Sequence, residues 1–189
     1  RITPVDYTDM IKDNRGFIWL ASNGGISRFD GRKFRNYSLT NGYPFHLVTG
    51  IIEKKPNVLW VADYANGLYQ LSDHQIKKIN LPSKKASYHL NFIKKEKDNT
   101  ILIGIAPDGL AVNKNGSFKD YFNVKGLENE PVLSAAIDAE GAIWVGTFKK
   151  GAYKLKNGRV VLALSEADGL PGDEIRSILP LKNGEVWFG

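Results

Sequence analysis

One pattern dominates this sequence: a bulky apolar residue between apolar neighbours, a short small-residue segment, then a turn. It occurs as "GFIWLASNGG" from Gly16, "NVLWVADYANG" from Asn57, "TILIGIAPDG" from Thr100, "AIWVGTFKKG" from Ala142 and "EVWFG" from Glu185. The anchors are Trp19, Trp60, Leu102, Trp144 and Trp187, spaced 41, 42, 42 and 43 residues apart. A period of that length marks a repeat architecture, in which each unit buries its apolar face against its neighbours.

Within one repeat the apolar runs are short, rich in β-branched and aromatic residues, and cut by turn signals every few residues. That is the pattern of strands, and no segment shows a helical period over helical length. Around Trp144 the runs are "PVLSAAI", "AIWVGT", "AYKLK" and "RVVLALS". Each repeat therefore predicts a four-stranded meander. Three residues before the anchors stand Gly16, Asn57, Asn99, Gly141 and Gly184, the two residue types that most readily accept the positive φ of a tight hairpin. A second glycine follows the anchors, as Gly25, Gly67, Gly109 and Gly151, and the next turn carries Asp30-Gly31, Ser72-Asp73, Asn115-Gly116 and Asn157-Gly158. Four-stranded repeats of this length predict an all-β fold, a β-propeller of four-stranded antiparallel blades. The blades are expected at 1–41, 42–83, 84–125 and 126–168, with a fifth beginning at 169–189, as one partial propeller in which Arg1 to Lys12 supplies the first strand. Such an arc of about four and a half blades would expose strand edges, so self-association or a receptor dimer is expected. The five anchors are expected to fill the cores between blades, with Leu102 leaving its interface less filled or compensated by neighbours.

The remaining composition narrows the function. The chain has no cysteine, which excludes disulfides and thiolate chemistry, and only three histidines, His46, His74 and His89, at no metal-binding spacing. No metal site and no cofactor is expected. No apolar run is long enough to cross a membrane as a helix. The net charge of +6 is spread, with lysine pairs such as Lys54-Lys55, Lys84-Lys85 and Lys149-Lys150 distributed over the second, third and fourth repeats, which argues against a nucleic-acid-binding arm. No phosphate-binding loop or nucleophile elbow is present, so no catalytic residue is assigned.

Candidate binding residues come from register. Loops joining a fourth strand to the next first strand, and loops joining second to third strands, should share one face. Fourteen residues before the anchors stand His46, Tyr88, Glu130 and Asp173, chemically unlike one another on a like scaffold. The second-to-third loops add Asn23, Tyr64, Asn66, Asp108, Phe148, Lys149 and Lys150. With His89 beside Tyr88, these groups offer aromatic faces, polar edges and charges suited to a sugar or an anion. The acidic groups Glu128, Glu130, Asp173 and Glu174 otherwise read as solvated loop carboxylates. An enzyme reading, a polysaccharide lyase or glycoside hydrolase type, would place His46, Tyr88 and Glu130 at a channel mouth; an interaction scaffold is the third alternative.

The stretches "DNRGFIWLASNGGISRFDG", "DAEGAIWVGTFKKGAYKL" and "DGLPGDEIRSILPLKNGEVWFG" resemble the two-component regulator propeller repeat, whose pattern is an Asp and Gly, then apolar-Trp-apolar-Gly-Thr, then Gly-Leu and an aromatic. "TILIGIAP" departs from it, lacking both Trp and Thr. The resemblance implies a seven-bladed ring in the parent protein. It further implies a sensory module on the periplasmic or extracellular side of a bacterial inner-membrane receptor, such as a histidine kinase or hybrid system. Its partner would be an oligosaccharide or other small ligand, with no nucleic acid and no membrane contact by this segment. No kinase or DNA-binding pattern occurs in the sequence itself.

Overall fold

In the computed structural model, residues 6–73, 75–82, 88–120 and 125–189 are described. They contain strands, turns and two single-turn 3-10 segments, at Leu39–Asn41 and Glu166–Asp168, with no α-helix among them. The first sheet runs β1 (Tyr7–Lys12), β2 (Ile18–Ser22), β3 (Gly25–Phe29), β4 (Phe34–Tyr37). The second runs β5 (Val48–Lys55), β6 (Val58–Asp63), β7 (Gly67–Ser72), β8 (Gln75–Ile79). The third is β9 (His89–Lys95), β10 (Ile101–Ala106), β11 (Gly109–Lys114), β12 (Ser117–Asp120). The fourth is β13 (Val132–Ile137), β14 (Ile143–Thr147), β15 (Ala152–Lys156), β16 (Arg159–Leu164). A two-stranded sheet, β17 (Ile178–Pro180) with β18 (Val186–Phe188), follows. Each strand lies beside its sequence neighbour, which is the meander of a propeller blade. Residues 1–5 of the expected first strand, and His74, Lys84 and Lys85, lie outside the described residues.

The turn chemistry appears as expected. The residue three before each anchor is left-handed throughout, with φ of 86° at Gly16, 65° at Asn57, 63° at Asn99, 79° at Gly141 and 92° at Gly184. In the turns between third and fourth strands, Asn115 and Gly116 have φ of 52° and 85°, and Asn157 and Gly158 have 53° and 75°, the double left-handed signature of a hairpin that follows strand twist.

The residues group into two compact units: 1–81 with 93–95, and 82–92 with 96–189. In the first, Trp19, Ile26, Tyr37, Phe45, Val48, Ile51 and Leu59 are buried together. Its aromatic rings follow one another closely: Trp19 to Tyr37 at 5.5 Å, Tyr37 to Tyr43 at 4.9 Å, and Phe45 to Tyr69 at 5.7 Å edge-on. In the second, Leu102, Leu110, Val132, Val145 and Leu155 form one core, and Trp144, Ala136, Ile175 and Ile178 another.

The anchors divide four to one. Trp19, Trp60, Leu102 and Trp144 are at most 6% exposed. Leu102 is fully buried, with Phe92 packed against its cluster, so neighbours compensate for the missing indole. Trp187 corrects the expectation: it is 62% exposed. Its strand pairs with β17 among the described residues, and the residue across from it, Leu179, is itself 56% exposed.

Two polar devices recur with the repeat. Asp13 and Asp138, six residues before Trp19 and Trp144, hold the turn between first and second strands. Asp13 accepts the N–H groups of Arg15 and Phe17 and the indole N–H of Trp19, at 3.0, 3.0 and 2.9 Å. Asp138 does the same for Glu140, Ala142 and Trp144. First strands also bond to the next repeat: Thr8 Oγ1 donates to Val48 O, Asn91 Nδ2 to Val132 O and Ser134 Oγ to Ile175 O. A Cβ added at Gly146 would meet Ser134 Oγ and would lie 2.6 Å from Ile175 O, so the glycine two residues after Trp144 is what lets the segment leading into β17 approach.

Candidate functional site

The loops selected from the sequence form one tied cluster in each unit. In the first unit, Asp63 at the end of β6 is fully buried. Its carboxylate accepts the backbone N–H of His46 at 2.7 Å and of Asn66 at 3.0 Å. Asn66 Nδ2 returns a bond to Pro44 O, and the N–H of Tyr64 donates to Leu47 O. The loop leading into β5 and the loop between β6 and β7 are thereby laced together. His46 is left exposed and Tyr64 half-buried. Asn23 is exposed in the corresponding loop of the first sheet, where its N–H donates to Asp6 O.

In the second unit the structure brings Glu130, Phe148, Lys149, Lys150 and Asp173 together. Glu130 is 6% exposed and its carboxylate accepts the N–H of Lys149 at 2.8 Å, while the N–H of Phe148 donates to Pro131 O. Thr147 Oγ1 donates to Gly151 O and accepts the N–H of Lys150, fixing the turn between β14 and β15. The N–H of Gly151 donates to Asp173 O, and the carboxylate of Asp173 accepts the N–H of Glu166. Tyr88, immediately before β9, and His89, its first residue, are both half-buried. Asp108, at the turn into β11, is buried.

Two kinds of group result. Glu130 and Asp63 are spent on backbone N–H groups and are withdrawn from solvent, which makes them loop-builders rather than solvated carboxylates. Phe148, Lys149 and Lys150 are exposed, with Phe148 at 40%, and the ammonium of Lys149 lies 5.3 Å from the Phe148 ring centre. An aromatic plate with two cations on a fixed turn can stack on a sugar ring or attract an anion. Near the Glu130 and Asp173 carboxylates stands Tyr153 on β15, a residue the sequence reading did not single out. Burial pushes its hydroxyl above the ordinary phenol value, and the charges of Glu130, Glu128 and Asp173 push it the same way, so it remains a neutral donor. Tyr88 is also raised, by burial.

As a loop-builder Asp63 had a signal in register, whereas Glu130 did not. Three residues after the anchors stand Ser22, Asp63, Ile105 and Thr147. All but Ile105 carry a short hydrogen-bonding side chain that accepts an N–H of the following turn. Among the described residues, no group of three His, Asp or Glu side chains converges as a metal site would require.

Comparison with known proteins agrees with the repeat reading. Residues 126–149, the span from the "KGLENEP" loop to Lys149, match the family Two component regulator propeller. The chain is similar to the extracellular domain of the one component system BT4673 from B. thetaiotaomicron, at 21% identity and a TM-score of 0.81, over 100% of this chain and 27% of that one. It is also similar to the extracellular domain of the hybrid two component system BT3049 from B. thetaiotaomicron, at 21% identity and a TM-score of 0.75, over 97% and 25%. A third likeness is virginiamycin B lyase from Staphylococcus aureus, at 17% identity and a TM-score of 0.71, over 100% and 64%. The fold is a β-propeller fold, and the chain spans about a quarter of the length of the extracellular domains it resembles. No curated protein matches the sequence.

Proposed function

We propose, from a chain that carries a two-component regulator propeller repeat at residues 126–149, that it is a ligand-binding segment of the extracytoplasmic sensor region of a bacterial signal-transduction receptor, and that it takes part in sensing an oligosaccharide. The observation that carries this reading is the coincidence of family match and loop chemistry. The matched residues end on the turn where Phe148 and Lys149 are held out by Glu130. The same carboxylate counts against catalysis there, because a general acid or base must reach a substrate proton, whereas Glu130 faces the N–H of Lys149 from a buried position. No helix of the described residues is long and apolar enough to cross a membrane.

The experiment is isothermal titration of the chain with pools of neutral and acidic oligosaccharides, repeated on a Phe148→Ala/Lys149→Ala double variant. The reading expects saturable binding that the double variant weakens without a change in Tm, since both side chains are exposed. Absence of binding to every pool, or equal binding by the double variant, contradicts it.

The likeness to virginiamycin B lyase favours a second reading, a propeller enzyme. Turnover of a pool by the wild-type chain, with release of shortened or unsaturated products, would establish that reading in place of the first.

A further inference from the structure

In each four-stranded sheet the anchor of the second strand faces one residue on the third. Arg28 lies opposite Trp19, Gln70 opposite Trp60, Val112 opposite Leu102 and Lys154 opposite Trp144. Two of these four are cations, and the protein treats them differently. Lys154 sits 5.5 Å from the Trp144 ring centre, and its ammonium is answered by Asp138 at 3.0 Å and by Glu140 at 3.5 Å.

Arg28 has no carboxylate within ion-pairing distance among the described residues, and the charge that answers it at longer range is that of Asp30, whose pKa Arg28 helps to lower. Asp13 occupies the place of Asp138, but its oxygens take the N–H groups of Arg15 and Phe17 and the indole of Trp19, and the cation beside it is Arg15, at 3.8 Å. The guanidinium of Arg28 instead lies over the Phe17 ring at 4.5 Å and is 5.9 Å from that of Trp19. Its Nε is buried without a hydrogen-bond partner. A buried charged donor left unpaired is costly, and such groups in native proteins ordinarily have a partner, a water or an ion.

The Arg28 side chain also lines a cavity of about 120 Å³, together with Arg15, Tyr37, Asn57, Ser72 and Asp73 over an apolar floor of Trp19, Leu59 and Leu71. Its volume equals about four water molecules' share of the liquid, enough for a carboxylate or phosphate group. Apart from Asp73, every polar residue on its wall can donate a hydrogen bond, and a guanidinium matches two oxygens of an oxyanion in a fork.

We propose that this cavity is a binding site for a small oxyanion, a carboxylate or a phosphate, with Arg28 as its fixed cation and Arg15 and Asn57 closing its exposed side. It is built on the turns between first and second and between third and fourth strands, so it is separate from the loops around Phe148 and does not rest on them. Asp73, exposed on its wall, is the competing negative charge that a bound anion must overcome.

The test titrates the 189-residue chain separately with inorganic phosphate and with acetate, following the Arg28 Nε–H resonance by NMR and the heat of binding. Saturable binding with a shift of that resonance is expected. Phosphate alone assigns a phosphate site, acetate alone a carboxylate site, and both a general oxyanion site. Arg28→Gln should weaken binding about tenfold or more, as loss of a charged hydrogen-bonding partner does. Asp73→Asn, on an exposed turn that asparagine tolerates at φ of 45°, should strengthen it, and this variant keeps the test open should Arg28→Gln not fold. Absence of saturable binding in both the wild type and Asp73→Asn, or undiminished binding by Arg28→Gln, overturns the proposal.

Discussion

Tryptophan at a repeated position does two different things in this chain, and the difference is set by what lies beside each ring. Trp144 is 6% exposed, with its indole N–H on Asp138 and Phe188 edge-on at 5.4 Å, whereas Trp187 is mostly in solvent. Trp144→Ala should therefore cost about 3–5 kcal/mol, while Trp187→Ala should cost less than about 1 kcal/mol, as surface changes do. Urea melts of the two variants check both. Asp138 supplies a pH signature for the same site. Burial alone would raise its pKa, but the Lys154 ammonium, the Ala142 N–H and the Trp144 indole outweigh it and hold the carboxyl below its ordinary 3.8. The folded state thus binds fewer protons than the unfolded chain. The stabilisation is fully present above the unfolded value and is lost as pH falls through the folded one. Asp138→Asn should lower stability at neutral pH, and its deficit relative to wild type should shrink as pH is lowered below 3.8, measured by urea melts at a series of pH values.

Strands and turns were the most legible part of the sequence because their signals are local. A left-handed residue three before each anchor needs only glycine or asparagine at that one position, and all five positions have the conformation. Asn57→Gly should leave stability within about 1 kcal/mol, whereas Asn57→Val should cost about 1–2 kcal/mol for forcing a β-branched residue into a left-handed turn; thermal melts of both separate the two. The candidate site was legible only as a set of loops. That Phe148, Lys149 and Lys150 stand out on a turn follows from hairpin spacing. That Glu130 is withdrawn to hold Lys149 does not, because its partner is a backbone N–H 19 residues away and a backbone donor leaves no mark in a sequence. Arg28 is intermediate. Its place opposite Trp19 follows from register, but the absence of a direct ion pair like that of Lys154 depends on how Asp13 divides its oxygens among three neighbours.

At the scale of the molecule, two compact units each carry their own buried cores and their own tied pair of loops, so the repeat distributes variable residues over one constant framework. The net charge of +6 favours anionic ligands at both the Phe148 turn and the Arg28 cavity, and the two sites belong to different ends of the strands. The central claim is that the loops between second and third strands, with those leading into first strands, receive the ligand. The most direct measurement is an amide NMR map of the chain during titration with a pool of neutral and acidic oligosaccharides. The account predicts that shifts concentrate at Phe148, Lys149, Lys150 and Asp173, with His46 and Tyr64 as the corresponding group in the first unit. Saturable shifts confined to the opposite turns, at Asn57, Asn99 and Gly141, would contradict it.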